Sequence, residues 1–217
     1  AIGSLRENLL GPLNPAQEAV LKSSAKSADY LNATIANFLN LSRIEDGALK
    51  LKQWKVFLRS TIIDPALQRL SEMIADNGMK VYCDIAPNLE VTCDPDLLTS
   101  VFQNLISNAV KYGNKGSQIL ITQEKEPDAN FIRLSIRNEG LGFSPAEAKG
   151  LFTKFTRFNA RNYDTKSGTG LGLFVTKNII NQHGGDIWAE SQQSKYAKFI
   201  FTLRKRMVHR GEEKNSG

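Results

Sequence analysis

What this chain lacks narrows its possibilities first. Its 217 residues include only two cysteines, Cys83 and Cys93, too few for a disulfide framework or a four-thiolate metal site. Each lies at or near the end of a short strand-like run, which suits a small buried hydrophobe in a reducing compartment. No stretch approaches the roughly eighteen apolar residues that span a bilayer. Arg6 and Glu7 break up the start of the chain, so no secretory leader is read there. A membrane segment is expected only in a longer parent, with this part cytoplasmic. Histidine is scarce too, at His183 and His209 only, and no internal repeat is visible.

What remains is an ordinary globular composition, 41% hydrophobic and 23% charged, long enough for one well-cored domain plus a smaller appendage. The net charge is +6, but the basic residues are dispersed except at Arg204, Lys205, Arg206 and Arg210. That cluster is expected to be a solvated tail, with attraction to an acidic partner or a polyphosphate as the functional alternative. No basic stripe or recognition helix appears, so nucleic acid is not an expected partner.

Gly11-Pro12-Leu13-Asn14-Pro15 reads as a turn leading into a helix, with Asn14 able to cap and Pro15 suited to the first helical position. The helix is predicted to run to Glu45. Leu21, Ala28, Leu31, Ile35 and Phe38 form one apolar seam along it. Such a seam wants a second helix, and the residues from Ile2 to Leu10 supply only about two turns of one. A truncated dimerising hairpin is therefore expected over 1–47, against the alternative of a plain core helix.

After Asp46-Gly47 the pattern becomes α/β. Strands are predicted at Trp54 to Leu58, Gln118 to Gln123, Phe131 to Arg137, Asp186 to Glu190 and Ala197 to Leu203. Met79 to Ile85 and Leu89 to Cys93 are predicted to form a hairpin around Ala86-Pro87-Asn88. Helices are predicted at Ile62 to Ala75, Asp96 to Tyr112 and Gly170 to His183. Asn138 to Ser167 reads as glycine-rich and irregular. The expected fold is an α/β (α+β) sandwich of one mixed sheet with helices on a single face, spanning 48–206, with a tail at 207–217.

Three features carry chemistry. Asn104, Asn108 and Lys111 fall at steps of four and three, on one face of a helix. Carboxamide oxygens are hard ligands for Mg²⁺, and the ammonium adds a point charge for phosphates, though a solvated polar face has the same pattern. Asn138-Glu139-Gly140-Leu141-Gly142-Phe143 follows a strand, and its glycines permit close backbone approach to a flat ligand or simply form a turn. Gly168-Thr169-Gly170-Leu171-Gly172-Leu173 opens a helix whose N-terminus suits an anion. No Gly-Lys-Ser/Thr follows it, and the dinucleotide spacing is missing.

Taken in order, these segments resemble the catalytic region of sensor histidine kinases. Asn104 to Tyr112 resembles the family's N box, and Asn138 to Phe143 its first glycine box. Leu151 to Arg157 resembles its phenylalanine box, and Ser167 to Leu173 its second glycine box. Leu41 to Gly47 is similar to the end of the family's dimerisation hairpin. The resemblance implies a Bergerat-type ATP-binding fold with ATP as substrate. Asn108, with Asn104 nearby, is implied to hold Mg²⁺, and Lys111 and Tyr112 to contact the phosphates. Asn138 stands where the family usually has an aspartate that accepts from the adenine amino group. Gly140 and Gly142 would shape the adenine pocket. Phe152, Phe155 and Arg157 would flank a mobile lid over Phe158 to Lys166, and the backbone of Gly168, Thr169, Gly170, Leu171 and Gly172 would meet the phosphates.

The implied reaction moves the γ-phosphoryl group to a histidine and then to an aspartate of a response-regulator receiver domain. The implied assembly is a homodimer through the hairpin. The acceptor histidine is expected before Ala1, so these residues alone are not expected to phosphorylate themselves. Asn138 keeps an acceptor but loses a charge. The turn Gln193 to Ala197 lacks the glycines many relatives carry. ATP-hydrolysing relatives place a glutamate base at the position of Asn104, which cannot take a proton near neutral pH. A nucleotide-binding scaffold without kinase activity is the other alternative.

Overall fold

A computed structural model describes residues 13–156 and 168–205. The chain divides into two units, 1–49 and 50–217. In the first, helix α1 spans Pro15–Glu45. Asn14 accepts from the Gln17 N–H at 2.9 Å, and the Gln17 side chain accepts from the Asn14 N–H at 2.9 Å. This reciprocal box, with Pro15 behind it, sets where the helix begins. Gly47, at φ +62°, follows its end. Leu31, Ile35 and Phe38 of the seam are exposed. The expected first helix of the hairpin falls on residues outside those described.

In the second unit, strand β1 (Trp54–Phe57) leads into a π-helical turn, Arg59–Ile63, then helices α2 (Asp64–Arg69) and α3 (Ser71–Asp76). The predicted single helix from Ile62 to Ala75 is thus three segments. Asp64 N–H reaches back to the Arg59 carbonyl just before Pro65, whose nitrogen has no hydrogen to donate. The chain continues through β2 (Lys80–Asp84), β3 (Glu90–Cys93), α4 (Pro95–Tyr112), β4 (Gln118–Glu124) and β5 (Phe131–Glu139). It ends with α5 (Pro145–Ala148), α6 (Gly172–Gln182), β6 (Ile187–Gln192) and β7 (Tyr196–Arg204).

Five strands form a mixed sheet in the order β2-β4-β5-β7-β6, with β2 and β4 parallel and the other pairs antiparallel. The predicted hairpin of β2 with β3 does not form: β3 instead pairs antiparallel with β1 in a separate two-stranded sheet. Alternation marks both segments as strands but carries no information about partners. The Leu58 N–H to Leu89 carbonyl bond extends the β1·β3 pairing. Ile132, Leu134, Ile136 and Asn138 of β5 are buried and alternate with half-buried Arg133 and Arg137. Helices α4 and α6 cover the buried face of the sheet.

Helix α4 is the centre of the core. Leu98, Val101, Phe102, Leu105, Ile106, Ala109 and Val110 recur at steps of three and four and are all buried. Phe102 meets Phe201 of β7 edge-on, with ring centroids 5.6 Å apart. The start of this helix is tied to the end of α6. The Asp94 N–H donates to His183 Nε2 at 3.0 Å, while His183 Nδ1 lies 2.7 Å from the Ile179 carbonyl. A carbonyl only accepts, so the proton sits on Nδ1 and the ring is neutral. The Asp94 carboxylate caps Leu97 N–H at 3.1 Å and takes the Lys52 N–H at 2.9 Å.

Burial holds the His183 imidazole below its usual value of 6.5, partly opposed by the Ile179 bond and the Asp94 charge. A depressed native pKa means that the unfolded chain takes up a proton first as pH falls. Stability from this residue is therefore intact above pH 6.5 and declines below it. Thermal melts from pH 7.5 to 5 should show a fall in Tm that is shallower in His183→Gln. At pH 7.5, His183→Ala should cost about 2 kcal/mol through two lost buried hydrogen bonds.

Candidate functional site

The polar stripe of α4 begins at Asn104, half-buried against α6. Its amide nitrogen donates to Thr176 Oγ1 at 2.9 Å. A Cβ added at Gly172 would collide with Asn104 Oδ1, so the oxygen of this carboxamide faces the first turn of α6. Asn108, one turn further along, is half-buried and has no side-chain hydrogen bond among the described residues. Lys111 is half-buried, and burial lowers the pKa of its ammonium. Tyr112 is exposed. Of the two asparagines, Asn108 has the uncommitted carboxamide that a hard cation bound to phosphates needs.

The end of α4 meets the loop after β5. Gly113 and Gly140 form an isolated antiparallel bridge, and the Asn114 N–H donates to the Glu139 carbonyl at 2.9 Å. A Cβ at Gly140 would lie 2.5 Å from the Tyr112 carbonyl oxygen. Gly142, at φ +61°, presses against the turn between β6 and β7, where a Cβ would meet Ser191 Oγ and the Tyr196 carbonyl. The close approach that these glycines permit is therefore to the protein's own backbone.

Asn138 ends the buried face of β5 at 2% exposure. Its amide nitrogen donates to the Glu139 carbonyl at 3.2 Å. Because that carbonyl accepts only, the nitrogen must face it. The carboxamide oxygen is left as an acceptor with no partner among the described residues.

Helix α6 starts at Gly172, two residues later than predicted, because Gly170 sits at φ +71°, outside helical space. Its N-cap is Leu171, which has no capping side chain, whereas Asn14, Asp94 and Ser144 cap α1, α4 and α5. The first N–H groups of α6 thus keep their donors without a side-chain cap. The Leu171 N–H turns back to Thr169 Oγ1 at 3.3 Å. No described residue lies within 4 Å of a Cβ built on Gly168, whereas one on Gly170 would lie 2.8 Å from the Phe155 carbonyl carbon.

Phe155 is 66% exposed and adopts φ +59°. Phe152 stands edge-on to Phe199, 6.4 Å away, and Phe143 lies 6.3 Å from the same ring. Lys177 and Lys154 sit over the rings of Phe152 and Phe174, at 5.5 and 5.1 Å. Arg157 and the expected lid from Phe158 to Lys166 lie outside the described residues. So does His209.

The geometry therefore links Asn104 to Gly172, Tyr112 to Gly140, and Phe155 to Gly170, all within the second unit. Sequence reasoning missed Thr176 and Ser191, which hold Asn104 and the first glycine loop. Thr176 carried a faint signal, as a polar residue one turn after Gly172 on an otherwise apolar face. Ser191 carried none, since Phe143, the loop residue it holds, is 48 residues away. Among the described residues no group of three or more His, Cys, Asp or Glu could hold a metal. A cation at this site would thus rest on carboxamide oxygen and on the phosphates themselves.

Residues 93–207 match the family described as Histidine kinase-, DNA gyrase B-, and HSP90-like ATPase. The chain is 33% identical over 207 residues to the signal transduction histidine-protein kinase BarA of Escherichia coli K12, covering 93% of this chain and 22% of BarA. It therefore spans about a fifth of the length of that relative. The catalytic domain of histidine kinase ThkA superposes with a TM-score of 0.60 at 26% identity, covering 71% of this chain and 98% of that domain. Full-length ShkA in complex with AMPPNP shares the fold, with a TM-score of 0.69 at 20% identity over 91% of this chain and 41% of ShkA. The chain belongs to the histidine kinase-, DNA gyrase B- and HSP90-like ATPase family and is a homologue of the sensor histidine kinases.

Proposed function

We propose that this chain binds Mg·ATP and presents its γ-phosphoryl group to a histidine outside these 217 residues, as the catalytic region of a two-component sensor kinase. The observation that carries this is the uncapped start of α6, led by glycines and packed beside the asparagine-bearing face of α4. Uncapped N–H groups and the positive end of the helix suit a polyphosphate, and Asn108 supplies an oxygen for its cation. The relative ShkA, captured with AMPPNP, supports the same ligand class.

In this reading Asn138 accepts from the adenine amino group, and Lys111 and Tyr112 face the phosphates. Phe152, Phe155 and Arg157 border the lid, and Gly168 to Gly172 line the phosphate end. Asn104 is placed beside the cation site but held by Thr176, so Asn108 is the principal metal contact. The acceptor nitrogen attacks the γ-phosphorus, the bond to the β–γ bridging oxygen breaks, and ADP leaves. His183 cannot be that acceptor, because both its ring nitrogens are engaged in the core.

The exposed seam of α1 at Leu31, Ile35 and Phe38 fits a homodimer built on paired helices. The onward partner is a response-regulator receiver domain. A nucleotide-binding scaffold without kinase activity is the second reading, favoured by the uncharged Asn138.

Mixed with a separate helical hairpin bearing an acceptor histidine, the chain should pass label from γ-labelled ATP to that hairpin. It should not label itself. Asn108→Ala should lower the transfer by about two orders of magnitude. Binding of Mg·ATP with no transfer to any such hairpin would favour the scaffold.

Base selection gives a second measurement. With its nitrogen committed to Glu139, Asn138 offers adenine an acceptor and meets the O6 carbonyl of inosine triphosphate with another acceptor. ATP should bind about tenfold more tightly than ITP, and Asn138→Leu should erase the difference. Equal affinities in the unaltered chain would remove Asn138 from the base site.

A further inference from the structure

The turn joining β6 to β7 is sewn to the first glycine loop at three points. The Gly140 N–H donates to the Lys195 carbonyl at 3.0 Å, and the Ser194 N–H donates to the Leu141 carbonyl at 2.6 Å. The third stitch runs through a side chain: Ser191 Oγ accepts from the Phe143 N–H at 2.8 Å and donates to the Tyr196 carbonyl at 2.7 Å. Ser194 closes the turn in the left-handed region at φ +61°, a conformation glycine usually supplies.

These contacts govern where the loop can sit. Asn138 is fixed at the end of β5, and Ser144 is fixed as the cap of α5. Between them the Gly140 and Phe143 N–H groups and the Leu141 carbonyl are bonded to β6 and the turn, and a Cβ at Gly142 would collide with Ser191 Oγ. The Ser191 hydroxyl faces one donor and one acceptor, and among apolar or acidic replacements none supplies both functions. Tyr196, whose carbonyl takes the hydroxyl proton, is itself held by Arg137, 4.6 Å from its ring centroid.

We infer that Ser191 is a positioning residue for nucleotide binding: its hydroxyl locks the Gly140–Phe143 loop to the β6–β7 turn and so sets the shape of the base pocket. This rests on the nucleotide-site reading of the loop. Ser191 does not touch the reacting atoms. Its influence is on the bound geometry, where displacements near 1 Å weaken binding and alignment.

The test compares Mg·ATP affinity by calorimetry with hydrogen exchange at the Phe143 amide, in the full chain. Ser191→Ala should raise Kd about tenfold and speed exchange at Phe143, with Tm lowered by only a few degrees. Ser191→Thr, which keeps the hydroxyl, should return Kd to within about twofold of the unaltered chain. Ser194→Pro, which removes the N–H bonded to Leu141 and forbids the positive φ, should weaken binding at least as much. If Ser191→Ala and Ser194→Pro bind Mg·ATP as tightly as the unaltered chain, or if Thr is as poor as Ala, the positioning role is wrong while the nucleotide site stands. Failure of the unaltered chain to bind Mg·ATP at all would remove the nucleotide site and this inference with it.

Discussion

A missing methyl group holds the site together. At Gly140, Gly142, Gly170 and Gly172 a single added carbon would strike, in turn, the Tyr112 carbonyl, the β6–β7 turn, the Phe155 backbone and the Asn104 carboxamide. These four contacts bind the end of one helix, the start of another and two loops into a frame without slack. Such close packing is stiff, because van der Waals contacts between backbones leave no rotamer to absorb strain. A ligand bound within such a frame would be spared the ordering cost that weakens binding to flexible sites. Of the glycines in these two loops, Gly168 differs: no described residue lies within 4 Å of its missing side chain.

Local signals made much of the fold legible. The cap and proline at Asn14-Pro15 marked the start of α1 to the residue, and α4 begins at Pro95, one residue before the predicted Asp96. The predicted strands Gln118 to Gln123 and Phe131 to Arg137 formed β4 and β5, each only one or two residues longer. The short helix α5 was missed, falling inside the stretch from Asn138 to Ser167 read as irregular, although Ser144 and Glu147 form a capping box there. It was obscured by the surrounding glycines. What local pattern could not supply was partnership. β2 and β3 alternate as a hairpin would, yet each pairs with a strand from elsewhere, because register and neighbour are decided by burial of the whole sheet.

The candidate site divides along the same line. The glycines stood out by spacing, and at Gly140, Gly142, Gly170 and Gly172 the space beside them is taken up by the protein itself. Thr176 and Ser191 fix Asn104 and the first glycine loop, and both act across long stretches of chain, 72 residues in one case and 48 in the other. A hydroxyl in the middle of a strand or helix looks like an ordinary surface choice until its partner is placed beside it.

The position of Asn104 also bears on which chemistry the family frame supports here. In hydrolysing relatives this helical position is implied to carry a glutamate that draws a proton from water. Asn104 has no basic lone pair to offer at neutral pH, and its amide is already spent on Thr176. Its oxygen is packed against Gly172, at the mouth of α6, where a water awaiting activation would need room. In the proposed nucleotide reading, this position offers an amide rather than a base to a weak nucleophile. A histidine imidazole needs no such help, since its neutral nitrogen already carries an available lone pair. Among the described residues, tying the two helices together through Asn104 leaves an amide where those relatives are implied to carry a base. The proposed transfer to an imidazole fits that arrangement better than hydrolysis does.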